Sequence, residues 1–581
     1  MERLFILLLV STFLFNCSSD TENSDLTLPD EEVNEVVEDE VGDEQEPNDE
    51  MEDTMDEEEE ESENENVFEG DAILLTQSEV DAFGNQNYTQ INGRLQIGSF
   101  SRQDLTNISS ISSLNTITSV SGDLQIAFNP LLLSVEGLES LTSVGQNLII
   151  SQNDGMTSLQ GLENLIFLGK SLIMNNNDSM ISINQYAGLS EVPGTLSISN
   201  HDVLVTLDGL QNIANVGASL LLSSNNGLES YTGLEGLTQV AGLVQFVGGS
   251  VLSSFTGLEN LNFIGGDFDI FSHGDFLTSM KGLEGITNIE GNVTISGNRG
   301  LTSLSGFESL TRIGGNFVVR NNEALESFDG INSLDTVIRL TIENNDSLFT
   351  INGLNELGSL FSLTIENNEN LENLLGLEGV SVISGLGIRN NPSLLSLEGL
   401  DGLENVTASF TISENSDLVS MDGLSSLRSV GSNFLVINNT SLLNLDELNA
   451  LTFVNGNLFF VGNTSLNSIN GLNRLSEVQG DFGISESPMV TTLAALSSLS
   501  SVGRLVISST GVTSLDGLEN LSLIPTGTST ANNVVSQNNN LLDFCALQEP
   551  LISSTDEATI FITGNAFNPS VQDIRDGNCS Q

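Results

Sequence analysis

Apolar and polar residues alternate along most of this chain in a pattern that repeats every 23 to 25 residues. The hexapeptide LTIENN occupies residues 340–345 and recurs unchanged at residues 363–368. In the most complete copy, Leu386 and Ile388 lie two residues apart, which predicts a short strand with one buried face. The apolar positions that follow are three residues apart, a spacing that suits a coil turning corners: Leu394, Leu397, Leu400, Leu403 and Val406.

The repeat predicts a solenoid in which each copy forms one rung with its apolar residues facing inward. No rung buries its apolar face without neighbours, so neighbouring rungs need the same residues at the same positions, which explains the duplicated hexapeptide. About 17 copies fit between residues 124 and 530. They begin at Leu124, Leu148, Leu172, Leu196, Leu220, Leu243, Phe268, Val293, Phe317, Leu340, Leu363, Leu386, Phe410, Phe434, Leu458, Phe482 and Leu505.

The phrase L-x-I-x-x-N in these copies resembles the L-x-L-x-x-N segment of leucine-rich repeats, and the whole unit resembles the receptor L-domain variety of that family. The resemblance implies a mainly β, right-handed solenoid of about 17 rungs with terminal caps. It also implies a surface that recognises proteins, because members of the family typically do so. Long helices are not expected, since the S-L-x-G-L phrase is turn-like.

Both ends of the solenoid need caps. Residues 67–123 contain degenerate copies that would cover the first rung, and residues 531–581 would close the last one. Cys545 and Cys579 lie in this C-terminal segment, and an exported chain permits a disulfide between them. The alternative for this pair is a reactive thiol or a metal site.

The N-terminus predicts export. One basic residue, Arg3, precedes an apolar run too short to span a bilayer but typical of a signal peptide over residues 1–16. The sequence around Cys17 resembles a bacterial lipoprotein signal, which implies lipidation of Cys17 and a place on the outer membrane surface of a Gram-negative bacterium. An ordinary signal peptide and a chance thiol are the alternatives. The acidic segment 17–66 lacks an apolar pattern, so a disordered tether is expected.

The formal net charge of −65 narrows the range of partners. Such a field repels phosphate backbones and anionic lipids, so we expect no nucleic-acid partner and membrane attachment only through the N-terminal lipid. A charged partner is expected to be cationic. Trp is absent and Tyr occurs 3 times, whereas the 28 Phe residues fall on repeat positions and indicate core packing.

One column of the repeat is occupied by asparagine, which we interpret as a structural ladder that pairs backbone groups where each strand ends. His201 and His273 fall in the same column and are the only histidines, so no histidine-based catalytic or zinc site is indicated. The sequence therefore predicts no enzyme, no metal site and no cofactor. The column comprises Asn129, Asn153, Asn177, Asn225, Asn298, Asn322, Asn345, Asn368, Asn391, Asn415, Asn439 and Asn463.

Residues between the buried strand positions should point outward. Charged residues share one such column on four consecutive rungs: Arg320, Glu343, Glu366 and Arg389. Apolar residues are predicted to point outward at two further places, which makes these residues candidates for a partner site: Leu435, Ile437, Phe459 and Val461 on adjacent rungs, and Phe246 with Phe271. Coverage by a cap, a loop or a neighbouring copy is the alternative.

These patterns predict a non-catalytic recognition or adhesion protein of the cell surface that binds a macromolecule, with a protein as the expected partner. The alternative is a structural surface component that associates with copies of itself through the apolar patches or open sheet edges.

Overall fold

The computed structural model describes residues 66–101, 104–184, 188–523, 533–553 and 560–581. These residues belong to one compact unit that spans residues 63–581. The predicted signal peptide, Cys17 and the tether up to residue 65 lie outside the described residues. Within the described ranges, every helix is too short or too polar to cross a membrane.

The described residues form a mainly β solenoid of about 20 rungs, as the repeat predicts. Each rung contributes one strand to a parallel first sheet, and most rungs add a short strand to a parallel second sheet. In four rungs a single long strand runs through both sheets: Thr336–Glu343, Ser359–Glu366, Glu477–Ser487 and Ser501–Thr510.

The remaining strands and helices have the following bounds. The other strands of the first sheet are Ala72–Leu74, Leu95–Gly98, Leu124–Ala127, Leu148–Ser151, Leu172–Asn175, Leu196–Ser199, Leu220–Ser223, Val244–Val247, Phe268–Phe271, Val293–Ser296, Asn316–Arg320, Gly385–Arg389, Phe410–Ser413, Phe434–Ile437, Leu458–Val461, Asn533–Ser536 and Ile560–Thr563. The other strands of the second sheet are Val67–Glu69, Gln90–Asn92, Ser119–Val120, Ser143–Val144, Phe167–Leu168, Glu191–Val192, Asn215–Val216, Gln239–Val240, Phe263–Ile264, Asn288–Ile289, Arg312–Ile313, Val382–Ile383, Asn405–Val406, Ser429–Val430, Phe453–Val454 and Ser522–Leu523. The α-helices are Gln77–Gly84, Gln548–Ser553 and Val571–Arg575, and the 3₁₀ helices are Ser112–Leu114, Asp446–Ala450, Asn470–Arg474, Ala494–Ser498 and Cys545–Leu547.

The core consists of identical repeat positions stacked from rung to rung. Leu363 pairs with Leu386 and Ile365 with Ile388 in the first sheet, and all four side chains are buried. The residues at intervals of three, Leu394 to Val406, are buried as well. Aromatic side chains fill the same stack, as the Phe usage indicates. Burial of these columns in every rung is the main favourable contribution to the fold.

The Asn-Asn pair of LTIENN has two separate structural roles. The first residue, Asn344 or Asn367, adopts a left-handed conformation with φ of 55° or 58°, which Asn tolerates better than most residues. The second residue, Asn345 or Asn368, is fully buried where the strand ends. A left-handed residue closes the strand in most rungs of the described chain, so the doublet marks the corner of the rung.

The buried asparagines form the predicted ladder. The Asn368 side chain donates from Nδ2 to the Ile342 carbonyl at 3.1 Å and to Asn391 Oδ1 at 3.1 Å. Its own Oδ1 accepts from the backbone N–H of Asn345 at 3.1 Å and from the Asn345 side chain at 3.3 Å. Each side chain thus joins the rungs on both sides and pairs backbone groups that are buried where the chain turns.

A glycine in the S-L-x-G-L phrase allows the next corner of the rung. Gly399 has a φ of +110°, and a Cβ at this position would lie 2.0 Å from the Leu374 carbonyl oxygen. The amide of this glycine donates to the carboxylate two residues later, here Asp401 at 3.2 Å. In other rungs the acceptor is glutamate, as for Gly233 with Glu235. The acidic side chain two residues after the glycine therefore closes a turn by accepting this hydrogen bond.

Both ends of the solenoid carry capping elements within the described residues. The helix Gln77–Gly84 buries Val80 at the N-terminal end. At the C-terminal end, Asn568 Oδ1 accepts from the backbone N–H of Asn565 at 2.9 Å and takes the place of the next ladder residue. Cys545 and Cys579 form the predicted disulfide, which links the final 3₁₀ helix to the chain terminus.

Two details of the prediction need correction. The rungs number about 20 rather than 17, because the terminal segments contribute strands of their own, such as Leu95–Gly98 and Ile560–Thr563. The rung predicted to begin at Leu243 begins at Val244, which pairs with Leu220 and Phe268. All other predicted rung starts agree with the register of the first sheet.

We expect Asn368→Ala to lower the free energy of unfolding by about 1–3 kcal/mol, because the change leaves the Ile342 carbonyl and the Asn345 amide buried without their partner. Thermal unfolding followed by circular dichroism measures the effect. The neighbouring exposed Glu369→Ala is the control and should leave the midpoint unchanged. Equal melting of both variants would contradict a stabilising role for the ladder.

Candidate functional site

The side of the first sheet that faces away from the core is the strand face. Two columns of side chains make up this face, at the second and fourth positions of each strand. These positions do not contribute to the core or to the Asn ladder, so their chemistry varies along the chain. The strand face is therefore where the candidate residues must be placed.

The predicted outward apolar group near the C-terminal end lies on the strand face but is mostly buried. Leu435, Ile437 and Val461 are 7%, 4% and 7% exposed, and Phe459 is half-buried. Leu435 pairs with Phe459 and Ile437 with Val461 on adjacent strands. All four side chains lie on the outward side of the sheet as predicted, but the three aliphatic ones are covered, in line with the alternative of coverage. Whether they bind a partner stays a prediction.

A glycine on the next rung lets the Phe459 ring lie against the sheet. Gly483 is the register partner of Phe459, and a Cβ on Gly483 would lie 2.4 Å from the Phe459 Cδ1 and Cε1 atoms. The ring therefore occupies the space that a larger residue would fill. This contact explains why the patch is packed rather than fully open.

The second predicted apolar pair is only half correct. Phe246 is fully buried in the core, whereas Phe271 lies half-buried on the strand face. Because the rung begins at Val244, the outward residues of this strand are Gln245 and Val247. Val247 pairs with Phe271, so the apolar pair on the face is formed by these two residues.

Beside this pair lies a carboxylate that sequence reasoning missed. Asp269 Oδ2 accepts a hydrogen bond from Gln245 Nε2 at 3.3 Å on the preceding rung. Burial raises the pKa of Asp269 above its ordinary value, and hydrogen bonds from Gln245 and Thr294 partly oppose that rise. Its position on a column of outward residues was available in the sequence, but its partial burial was not.

The charged column is aligned as predicted. Arg320, Glu343, Glu366 and Arg389 are consecutive register partners. Arg389 Nη1 lies 3.6 Å from Glu366 Oε2, and both side chains are partly exposed, so the pair contributes about 0–1 kcal/mol. Among the described residues, Arg320 and Glu343 form no ion pair within 4.0 Å, although they lie opposite each other.

A second ion pair was not predicted. Arg504 donates to Asp481 Oδ2 from Nε at 3.0 Å and from Nη2 at 2.6 Å. The Arg504 side chain is nearly buried, and the two residues are register partners on long strands that join both sheets. Asp481 and Arg504 lie where each strand passes from one sheet to the other. Their ion pair therefore links two adjacent rungs at that point.

Both histidines occupy ladder positions, as the sequence predicts. Nδ1 of His201 lies 3.3 Å from Asn225 Oδ1, and Nδ1 of His273 lies 3.1 Å from Asn298 Oδ1. The Nε2 atom of His273 is buried without a hydrogen-bond partner, since the preceding ladder position is Gly249. Burial lowers the pKa of each histidine to about 4, so both are neutral at pH 7.

The described residues contain no group of three or more His, Cys, Asp or Glu side chains arranged to hold a metal ion. A small pocket lies beside the interrupted ladder and is lined by residues that include Asn225, Tyr231 and Gly249. Burial raises the pKa of Tyr231 above its ordinary value, so its hydroxyl is neutral. These groups supply no nucleophile paired with a base.

No protein-family model matches the sequence, and no curated protein matches it. Solved structures do show similarity. The crystal structure of the TLR13–ssRNA13 complex is 15% identical to this chain, with 85% of this chain and 90% of that chain covered and a TM-score of 0.22. With a TM-score that low, the fold assignment rests on the strands and the Asn ladder of this chain alone.

We expect Gly483→Ala to force the Phe459 ring away from the sheet, because the new Cβ would overlap the ring. The free energy of unfolding should fall by about 1–3 kcal/mol, and binding of a hydrophobic dye should rise as the patch opens. Gly385→Ala is the matched control, since a Cβ there would meet only Ser362 Cβ at 3.8 Å. Unchanged melting and dye binding for Gly483→Ala would refute this packing.

We expect the two histidines to make the protein less stable in acid. The unfolded chain binds protons at both residues below about pH 6.5, whereas the folded chain binds them only below about pH 4. Stability is therefore lost as the pH falls from about 6.5 to about 4, by about 3 kcal/mol per histidine.

The double variant His201→Asn/His273→Asn restores the ladder residue and isolates this contribution. Melting temperatures of the wild type and the variant should diverge between pH 6.5 and pH 4, with the variant losing less stability. Parallel pH profiles would show that the histidines are not buried in their neutral form.

Proposed function

We propose that this chain is a non-catalytic recognition or adhesion protein that binds a macromolecular partner, a protein above all, through its solenoid. The observation that carries the proposal is the strand face, a continuous parallel sheet whose side chains are free to vary while the core and ladder stay constant. Half-buried Phe271 and Phe459 offer aromatic contact area on this face.

The proposal includes a location. Residues 1–16 act as a lipoprotein signal, Cys17 carries the lipid, and the acidic tether holds the solenoid away from an outer membrane. The solenoid is proposed to be of the receptor L-domain type. The formal charge of −65 supports the absence of nucleic acid among the partners and a membrane contact only through the lipid.

A second candidate function is self-association as a structural component of the surface. Its support is the terminal strand Ile560–Thr563, which pairs with Asn533–Ser536 on one side and carries an exposed Phe561. An edge strand with an exposed aromatic residue is a template for pairing with another chain.

Photo-crosslinking on intact cells tests the proposal. Benzoylphenylalanine placed at Phe271 or Phe459 replaces an aromatic residue with another on the strand face. Phe167 is the matched control, because it is an exposed aromatic residue of the second sheet. We expect the strand-face probes to capture a distinct macromolecule that the probe at Phe167 does not capture.

The captured material decides between the candidates. A protease-sensitive foreign partner supports protein recognition. Capture of nuclease-sensitive material would contradict the proposal that nucleic acid is not a partner. Capture of further copies of this chain alone would favour the structural role. Equal capture from Phe167, or no capture from either strand-face position, would overturn recognition through the strand face.

A further inference from the structure

A row of aliphatic side chains lies outside the strand face, on the turn that follows the Asn ladder. We call this row the aliphatic stripe. It is formed by the fourth residue after the ladder position on four consecutive rungs, of which three are aliphatic and one, between the first two, is threonine: Leu133, Ile181 and Val205, with Thr157. Backbone hydrogen bonds of 3.0 to 3.3 Å join Thr157 to Leu133, Ile181 to Thr157, and Val205 to Ile181. The row is therefore held in register.

The stripe is exposed to a degree that the core and the strand face are not. Leu133, Ile181 and Val205 are 61%, 52% and 59% exposed. Leu131 and Val203, two residues before Leu133 and Val205, are exposed as well and widen the apolar area. Contiguous exposed aliphatic groups on neighbouring rungs mark a contact surface more often than isolated ones do.

An acidic row runs alongside the stripe. The residue directly after the ladder position is Asp154, Asp178 or Asp202 on three of the same rungs, and all three are exposed. Strand spacing places them about 5 Å from one rung to the next. Asp202 Oδ1 accepts a hydrogen bond from Asn226 Nδ2 at 3.1 Å, which leaves its negative charge in place. Like charges in one row repel one another, so a cationic group placed along the row lowers the electrostatic energy of the surface.

The chain contains a second aliphatic row that differs in its charge. Leu395, Val419 and Leu443 occupy the same repeat position on three later rungs and are also exposed. The residues directly after the ladder position on these rungs are Pro392, Ser416 and Thr440, which carry no charge. The two rows therefore differ in the charge directly after the ladder position. The later row also has Asp417 two residues before Val419 and lacks counterparts of Leu131 and Val203.

We propose that the aliphatic stripe and its acidic row dock a cationic amphipathic helix of the partner macromolecule. This inference rests on the proposed recognition function and names the chemistry of the partner. The apolar face of the helix lies on Leu133, Ile181 and Val205, and its Lys or Arg residues face Asp154 and Asp202.

The repeat of the solenoid favours a helix as the bound segment. One helical turn rises about 5.4 Å, and one rung advances about 4.8 Å. Apolar residues spaced three or four apart on a helix thus meet successive rungs over the length of the stripe. Docking by apolar anchors at this spacing is a general mode of helix recognition.

A designed peptide tests the docking without knowledge of the natural partner. The probe is a labelled helical peptide of about 14 residues with Leu at the i, i+3, i+4 and i+7 positions and Lys beside them. Its binding to the purified full-length protein is measured by fluorescence anisotropy. We expect saturable binding that weakens as the salt concentration rises, because screening reduces the contribution of the acidic row.

Matched variants locate the site. Ile181→Ser/Val205→Ser and Asp154→Asn/Asp202→Asn should each weaken binding about tenfold, whereas Val419→Ser/Leu443→Ser should change it less than about twofold. All six positions are exposed, so the variants should have the same melting temperature as the wild type. A peptide with Glu in place of Lys is the charge control and should not bind measurably.

Several results would overturn the docking. These are equal binding of the Lys and Glu peptides, equal weakening by the Val419/Leu443 variant, or no saturable binding. Sedimentation of the protein alone tests whether a second copy of this chain occupies the stripe, and we expect a monomer. Dimers that are lost in the Ile181→Ser/Val205→Ser variant would also overturn the docking of a partner helix. If the peptide does not bind but a foreign protein is captured from Phe271 or Phe459, helix docking on the aliphatic stripe is refuted. The proposed recognition function is then still supported.

Discussion

At the end of each strand of the first sheet, the chain turns while its backbone N–H and C=O groups remain buried. These groups cannot reach water, so each one needs a partner inside the protein. The Asn ladder supplies that partner, and where the ladder is uninterrupted a side chain such as Asn368 bonds to the rungs before and after it. The ladder therefore fixes the register of the rungs, which in turn stacks identical core residues on one another.

The ladder is interrupted beside an aromatic cluster. Three of its positions between residues 201 and 273 are His201, Gly249 and His273 rather than asparagine. The same rungs contain an aromatic cluster in which Tyr231 contacts Phe246 at 4.9 Å and Phe246 contacts Phe255 at 5.4 Å between ring centroids. Buried aromatic contacts of this kind contribute apolar burial next to the weaker polar pairing.

The architecture could be predicted from the sequence because the same residues must recur wherever rungs stack. The prediction failed where the pattern allowed two registers. In the segment that begins at Leu243, two apolar residues are adjacent, and choosing Leu243 over Val244 as the strand start moved Phe246 from the core to the outside. A slip of one residue in a strand reverses every side chain.

Burial on the strand face could not be predicted for a different reason. The direction of Leu435 and Ile437 follows from alternation, but their exposure depends on the side chains of neighbouring rungs. Gly483 lets Phe459 lie flat on the sheet, a contact between residues 24 positions apart that no local pattern reveals. The same holds for Arg504 and Asp481, whose pairing depends on the register of two long strands.

Stacking in register has a further physical consequence, because any residue type repeated at one position becomes a row. Repeated apolar residues give a continuous core, and repeated asparagines give a ladder of hydrogen bonds. Repeated carboxylates such as Asp154, Asp178 and Asp202 give a row of like charges. The core and ladder positions are constrained by the fold, so the outward rows are where a solenoid of this kind can vary its surface. Binding of an oppositely charged partner lowers the energy of such a row without disturbing the stack beneath it.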